Sequence, residues 1–315
     1  MKFKYYLSGC EFDFKDTDAL NLLSLLITHG SYIIAEKSSP KEEQTTEKRE
    51  GIDYEIMEKE LLEFLVKNSS YYFRSKKEEI KQYLNSLKQA LTEYLGNRGI
   101  VREIQMKLTY RGSFGVSSTF GQIPFEVGLY IHPYFNVPYI PASSIKGAIR
   151  SAYYYYLVNH ENENPKKADN ECNRLFGDSN FTGLVGFTDA FPIQEGEKEK
   201  GENGYILYPD IINPHYKDAR NEMEVEPKPI IFLTVAPGTT FKFYMYVIKE
   251  REKEKGREKE KREIEMGAKK DLALKPIPNI KNLGKLDLAL LYGLSMGIGA
   301  KTALGYSQFV VVTYE

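Results

Sequence analysis

The feature that most restricts the fold is a glycine-rich segment near the C-terminal end, GLSMGIGAKTALGY (Gly293–Tyr306). Four glycines fall within its first thirteen residues: Gly293, Gly297, Gly299 and Gly305. Such a backbone can adopt positive φ and approach a ligand closely. Its N–H groups can form a concavity that binds an anion, with Lys301 and Thr302 as additional donors. The alternative is a tight helix-to-strand turn that contacts no ligand.

The letters GAKT within this segment resemble the end of a phosphate-binding Walker A loop, but the spacing fails. That motif requires glycine at two positions where this chain has Ser295 and Ala300. The segment also follows a predicted helix and precedes the last predicted strand, whereas a P-loop connects an early strand to a helix. The sequence therefore argues against nucleotide hydrolysis.

A second segment, PYIPASSIKGAIR (Pro138–Arg150), predicts a helix that begins at Ser143 or Ser144 as the cap. Lys146 and Arg150 lie four residues apart and so project from one face of this helix. A helix N-terminus flanked by cations is suited to bind phosphate, although an ordinary capped helix with solvated charges fits the same pattern. The surrounding region is locally basic, with six cations against Glu103 and Glu126: Arg98, Arg102, Lys107, Arg111, Lys146 and Arg150.

The spacing of apolar residues predicts an α+β fold. Helices are expected over 53–95, with Gly96 as C-cap, after Pro138–Ala142, and over Lys285–Met296. Strands are expected in five places: Ile104–Gly115, Glu126–His132, Thr182–Ile193, both sides of the turn at Pro237 and Gly238, and Gly305–Tyr314. This order suits a ferredoxin-like, RRM-like βαββαβ domain over 98–315, after a mainly helical extension over 1–97. Charged insertions are expected near 160–171 and 249–270, and the polar segment His160–Glu171 is expected to be a loop.

Composition favours a cytoplasmic protein that shares its ligand with partners. The net charge of −1 argues against binding nucleic acid alone through bulk electrostatics. Cys10 and Cys172 are far apart and suit a reducing compartment. The chain has no secretory signal and no run of about 18 apolar residues, so no membrane association is expected.

The candidate catalytic groups are few. His215, beside Tyr216 and Lys217, is compatible with acid–base chemistry, but also with a structural role or with stacking on a base. Asp189, between aromatic residues, is expected to cap or hold a turn. Paired carboxylates, a metal-ligand cluster and a nucleophile elbow are all missing from the sequence, and no cofactor is predicted.

These segments together resemble the RAMP superfamily of CRISPR proteins. The glycine-rich stretch before the last strand and the helix start YIPASSIKGAIR are similar to its two recurrent motifs. Within it, FTDAFP, DIINPHYKD and GIGAKTALGY are similar to the sixth-subunit family of the Cmr complex, the type III-B RNA-targeting effector. The motifs also occur in the same order. One departure is Ser307, where that family commonly has glycine.

The resemblance implies a non-catalytic, RNA-binding subunit of an antiviral ribonucleoprotein, near the 3′ end of the guide RNA (crRNA). Its implied partners are the guide RNA, the target RNA and other Cmr subunits, namely the backbone RAMP subunits and a neighbouring RAMP subunit. Matching positions imply two groups of RNA contacts: Ser143, Ser144, Lys146 and Arg150 at the helix start, and Gly297, Gly299, Lys301 and Thr302 in the glycine loop. Arg111, His215 and Tyr216 complete the expected RNA-binding set. The resemblance also leaves an alternative: a metal-independent endonuclease like the RAMP proteins that process CRISPR repeat RNA, using His215 or His160 with a lysine.

Overall fold

The computed structural model describes residues 4–7, 10–13, 54–117, 125, 127–197, 204–212, 229–248 and 284–315. It begins with strands β1 (Lys4–Leu7) and β2 (Cys10–Asp13) and a long helix, α1 (Tyr54–Leu95). The elements that follow are β3 (Gly99–Leu108), α2 (Ala142–Asn159), α3 (Pro165–Phe176), β4 (Val185–Phe187), β5 (Phe191–Gln194), β6 (Leu207–Ile212), β7 (Ile230–Val235), β8 (Thr240–Ile248), α4 (Lys285–Met296) and β9 (Phe309–Tyr314). The helix predicted over 53–95 is confirmed, and Gly96 follows it with φ +49°.

The central sheet has the strand order β9–β3–β8–β4, and β5 also pairs with β8. All of these pairings are antiparallel. Along the chain the elements run β3, α2, β4 with β5, β8, α4 and β9, so the last strand lies beside the first. This is the βαββαβ arrangement of a ferredoxin-like fold, and the predicted fold class is confirmed.

Strands β6 and β7 form a separate antiparallel hairpin between the second and third core strands. The chain then turns at Pro237 and Gly238 into β8, as predicted, and Gly238 has φ +80°. A single bridge between Gly112 and Val235 joins this hairpin to the loop after β3. The hairpin therefore lies next to the segment that carries Arg111.

Helices α2 and α4 cover one face of the sheet. Alternate residues of a strand point to opposite faces, and Met106 of β3 and Phe243 of β8 enter the same buried cluster as Ile149 of α2 and Leu290 of α4. Gly293 lets the two helices approach closely, since a Cβ there would lie 2.9 Å from Cδ1 of Ile149.

Helix α1 packs against the opposite face. Phe73 and Ile80 of α1 share a second buried cluster with Tyr244 of β8, and Val101 of β3 packs against this cluster. The face of the sheet opposite α2 and α4 is therefore partly occupied by α1 instead of being open. Although α1 has 42 residues, no helix among the described residues is both long and apolar enough to cross a bilayer.

Three sequence predictions were wrong. Glu126–His132 is not a strand, because in the described part of it Ile131 makes only an isolated bridge, to Pro138. Thr182–Ile193 contains two strands instead of one. The polar segment His160–Glu171 was expected to be a loop, yet most of it belongs to α3, which begins with Pro165 after an Asn164 cap.

Candidate functional site

The fold brings the two motif segments to one end of the α2–α4 pair. Lys285, at the start of α4, bonds with Glu161 just beyond α2, whereas Gly293 lies against Ile149. The helices are therefore antiparallel, and the C-terminal end of α4 lies beside the N-terminal half of α2. The glycine loop, residues 297–307, starts at this end.

The glycine loop reverses direction through left-handed backbone conformations. Positive φ occurs at five positions: Gly297, Gly299, Lys301, Gly305 and Ser307. At Gly299 a Cβ would lie 2.5 Å from the carbonyl oxygen of Ser113, so the loop packs tightly on the segment after β3. A short 3-10 helix, Thr302–Leu304, forms the outer part of the loop.

Several N–H groups of the loop are satisfied within the protein. Ala300 donates to the Ser113 carbonyl at 2.8 Å, and Ile298 donates to the Ser307 carbonyl at 2.9 Å. The N–H of Ser307 donates to the carbonyl of Arg111 at 2.8 Å. The bonds to Ser113 and Arg111 hold the loop against the segment after β3, and the bond between Ile298 and Ser307 closes the loop on itself. They also exclude these three N–H groups from the anion-binding concavity expected from the sequence.

Lys301 is the cation that the loop presents. Its backbone is left-handed (φ +58°, ψ +27°), which is unusual for a residue with a Cβ. Its Nζ lies 4.8 Å from the ring centroid of Phe232 and 5.4 Å from that of Tyr306. Burial lowers the pKa of the Lys301 ammonium, although Asp210 acts in the opposite direction.

Arg111 shares the neighbours Asp210 and Tyr306 with this lysine, and it is held by Asp210, whose side chain is buried. The Arg111 guanidinium forms an ion pair with Asp210 and lies 5.0 Å from the ring centroid of Tyr208. The Tyr306 hydroxyl donates to the second oxygen of Asp210 at 2.5 Å. Burial and this hydrogen bond raise the pKa of Tyr306 to about 12, so the hydroxyl keeps its proton at neutral pH.

The sequence did not indicate four members of this cluster: Tyr208, Asp210, Phe232 and Tyr306. Asp210 opens the motif DIINPHYKD and Tyr306 ends the glycine segment, so both lay in motifs that had been singled out. The sequence did not show that Asp210 pairs with Arg111, because the two residues are 99 positions apart and the β6–β7 hairpin brings them together. His215 and Tyr216, which follow in the same motif, lie outside the described residues.

The start of α2 differs from the prediction. The helix begins at Ala142 with Pro141 as the N-cap residue, so neither Ser143 nor Ser144 is the cap. The Asp189 carboxylate accepts the Ala142 N–H at 2.7 Å, which confirms the expected capping role of Asp189. Ser143 is exposed and Lys146 is half-buried at this end.

Arg150 faces α3. Its guanidinium donates to Asn173 at 2.7 Å and to Asp169 at 3.0 Å, so it connects α2 to α3. Both partners belong to α3, whose first half was predicted to be a loop. Arg150 therefore has a structural role in the described fold in addition to the RNA contact expected from the motif.

The described histidines lie away from the glycine loop. His132 lies among Phe135, Tyr139 and Phe191, and its Nδ1 accepts the Phe135 N–H at 3.2 Å. His160 stacks on Tyr156 at the C-terminal end of α2, opposite the end that carries Lys146. In the described ranges, no three His, Cys, Asp or Glu side chains converge as metal ligands would.

Comparisons with known proteins agree with this architecture. The family model of the RAMP superfamily matches residues 96–310. The CRISPR system Cmr subunit Cmr6 of Saccharolobus solfataricus is 31% identical over 283 residues, which are 90% of this chain and 79% of that protein. Cmr6 of Pyrococcus furiosus is 28% identical over 59% of this chain and 62% of its own length.

A chain of a solved structure also resembles this one over almost its whole length. A cryo-EM structure of the type III-B Cmr-beta complex bound to cognate target RNA contains a chain that is 26% identical, with a TM-score of 0.64. The match covers 94% of this chain and 92% of the other. From the ferredoxin-like core, the glycine loop and these relatives, we conclude that the chain belongs to the RAMP superfamily and, within it, to the Cmr6 family of type III-B CRISPR Cmr subunits.

Proposed function

We propose that this chain is the non-catalytic, guide-RNA-binding subunit of a type III-B Cmr interference complex, located near the 3′ end of the guide. One observation carries the proposal: Lys301 of the glycine loop and Arg111 interact with the same carboxylate, Asp210, and lie over the rings of Tyr208, Phe232 and Tyr306. Cations interleaved with aromatic rings bind the phosphates and unpaired bases of single-stranded RNA.

The start of α2 supports an interface that extends beyond Lys301. Ser143 and Lys146 lie at the end of the α2–α4 pair where the glycine loop begins. We propose that Ser143, Ser144 and Lys146 contact the RNA backbone there, with Gly297, Gly299 and Thr302 in the adjoining loop. Phosphate contacts of this kind give affinity and register without reading sequence.

The similar proteins support the proposed RNA and protein partners of this chain. The similar solved chain belongs to a type III-B Cmr complex that is bound to target RNA. We therefore propose that this chain contacts guide and target RNA inside an assembly with backbone RAMP subunits and a neighbouring RAMP subunit. A net charge of −1 fits a subunit that shares its RNA with partners.

The proposed domain organisation is an RNA-binding core over 98–315 and an N-terminal extension over 1–97. The family match over 96–310 supports this division. The N-terminal extension contains α1, which packs against the sheet through Phe73, Ile80 and Leu84. We propose that α1 braces the core and that RNA binds at the glycine-loop end.

Crosslinking within the assembled complex tests the proposal. Guide RNA that carries 4-thiouridine at single positions is irradiated in the complex, and the adducts are mapped by mass spectrometry. We expect adducts in the peptides that contain Lys146 or Lys301. Adducts on other subunits, with none on this chain, would contradict the proposal.

A cleavage assay tests the absence of catalysis. Labelled CRISPR repeat RNA incubated with the purified chain should remain intact, because His160 lies at the opposite end of α2 from the proposed RNA contacts. Specific cleavage that disappears in His215→Ala would show instead that the chain is an endonuclease.

A further inference from the structure

Tyr110 is an exposed aromatic ring on a firmly held backbone. Its side chain is 42% exposed, yet both of its neighbours are bonded. The Thr109 N–H donates to the Gln308 carbonyl at 2.9 Å, and the Arg111 carbonyl accepts the Ser307 N–H at 2.8 Å. The ring is therefore displayed at a fixed position beside the glycine loop.

The side chains around Tyr110 fix the orientation of its ring. Tyr306 packs edge-to-face against it, with ring centroids 5.4 Å apart and an interplanar angle of 85°. The Arg111 guanidinium carbon lies 5.5 Å from the centroid of Tyr110. Since Asp210 pairs with Arg111 and accepts the Tyr306 hydroxyl, one buried carboxylate positions both neighbours of the ring.

Lys301 is the cation of this cluster whose charge is not held in an ion pair within the described residues. Among the described residues, no carboxylate lies within 4.0 Å of its Nζ, whereas the charge of Arg111 is paired with Asp210. Lys301 also lies 5.4 Å from the Tyr306 centroid, so the lysine and Tyr110 share one neighbour. A left-handed conformation at a non-glycine residue costs free energy and persists where the surrounding structure enforces it.

We propose that Tyr110 stacks on one unpaired RNA base and that Lys301 contacts a phosphate of the same strand. This inference rests on the proposed function and assigns a single-nucleotide site within it. An exposed ring beside one unbalanced cation matches a nucleotide, which has an aromatic face and one negative charge. Because every base has a π-face, the site accepts any of the four bases.

Tyr94 provides a matched control. It is 69% exposed, and the Arg98 guanidinium carbon lies 5.7 Å from its ring centroid, so it is also a tyrosine–arginine pair. It belongs to the end of α1, next to the start of β3, whereas Tyr110 follows the end of β3. The ten residues of β3 separate the two pairs by roughly 33 Å.

The experiment uses the assembled complex with guide RNAs that carry 2-aminopurine at single positions, because stacking on a ring quenches the fluorescence of this base. At one position we expect quenching in wild type and in Tyr110→Phe, and recovery of the fluorescence in Tyr110→Leu. Tyr94→Leu should leave the quenching unchanged. If Tyr110→Leu changes the fluorescence at no position while the complex retains its guide, the stacking site is wrong and the proposed function stands.

A second measurement does not depend on the stability of the variants. An abasic nucleotide at the responding position should weaken RNA binding about tenfold in wild type. It should cause no further loss in Tyr110→Leu, because the stacking partner is already gone. Equal losses in both complexes overturn the site. If the chain forms no adduct with guide RNA at any position in the crosslinking assay, the proposed function fails together with this inference.

Discussion

Ser307 and Ser113 hold the glycine loop against the segment that carries Arg111 through a reciprocal pair of hydrogen bonds. The Ser113 N–H donates to Ser307 Oγ at 2.9 Å, and this hydroxyl donates to the Ser113 carbonyl at 3.3 Å. Ser307 is fully buried and has φ +57°, a conformation that favours glycine. The hydroxyl therefore offsets a backbone strain that a glycine at this position would avoid.

Two substitutions of Ser307 separate the stabilisation by its hydroxyl from the cost of its left-handed backbone. Ser307→Ala leaves the buried Ser113 N–H without its acceptor and should cost about 1–3 kcal/mol of unfolding free energy. Ser307→Gly loses the same bonds but relieves roughly 1 kcal/mol of left-handed strain, so it should be the more stable variant. Urea denaturation of the purified chain measures both. An alanine variant more stable than the glycine variant would contradict this account, and the exposed Ser295→Ala serves as control.

Two helix glycines should respond oppositely to alanine. At Gly147 of α2 a Cβ would meet nothing within 4 Å, so Gly147→Ala should raise the unfolding free energy by about 0.5–1 kcal/mol through helix propensity. At Gly293 of α4 the Cβ would lie 2.9 Å from Cδ1 of Ile149 and 3.2 Å from Cβ of Ala152, so Gly293→Ala should push the helices apart and cost roughly 1–3 kcal/mol. Thermal unfolding compares them, and a change of the same sign in both would refute the described packing of α2 on α4.

Glu103 should make stability depend on pH in the acid range. Burial alone would raise the pKa of its carboxyl, but hydrogen bonds from Lys242 at 2.6 Å and Lys88 at 2.7 Å lower the pKa below its ordinary value of 4.5. A carboxyl whose folded pKa is depressed stabilises the fold above pH 4.5, and this stabilisation is lost as pH falls through the folded pKa.

The measurement is the difference in unfolding free energy between wild type and Glu103→Gln from pH 7 to pH 3. We expect wild type to be more stable at pH 7 and the difference to shrink below pH 4.5. A difference that stays constant across this range would show that the two lysines do not stabilise the ionised carboxylate. Glu79→Gln, which breaks the exposed pair with Lys76, should change stability by less than about 0.5 kcal/mol at neutral pH.

The elements that sequence predicted well are those whose own side chains determine them. Apolar spacing and a following glycine indicated the exact helix Lys285–Met296 and the end of α1 at Leu95. Helix α3 was missed because its surface is charged and only one stripe is buried: Ala168, Cys172, Leu175 and Phe176. The pair Asn164–Pro165, a cap followed by proline at the first helical position, was the available signal.

The failures came where tertiary contacts override local pattern. The alternating residues of Glu126–His132 suggested a strand, but Gly128 and Tyr130 donate their N–H groups to Val116 and Phe114 in an irregular loop. The candidate site also depends on a tertiary contact that local sequence does not indicate. Lys301 was named from the glycine segment and Arg111 from the locally basic region, whereas the carboxylate near both, Asp210, is revealed only when the β6–β7 hairpin lies beside the loop.

The salt dependence of RNA binding shows whether Lys301 contacts a phosphate of the RNA. Guide-RNA affinity of the assembled complex is measured against salt concentration for wild type, Lys301→Ala and the control Lys285→Ala, whose lysine pairs with Glu161 at the opposite end of α4. If Lys301 contacts a phosphate, its removal should weaken binding without sequence preference and reduce the slope of log affinity against log salt by roughly 0.7. Lys285→Ala should match wild type. An unchanged affinity and slope in Lys301→Ala would contradict the proposed contact between Lys301 and an RNA phosphate.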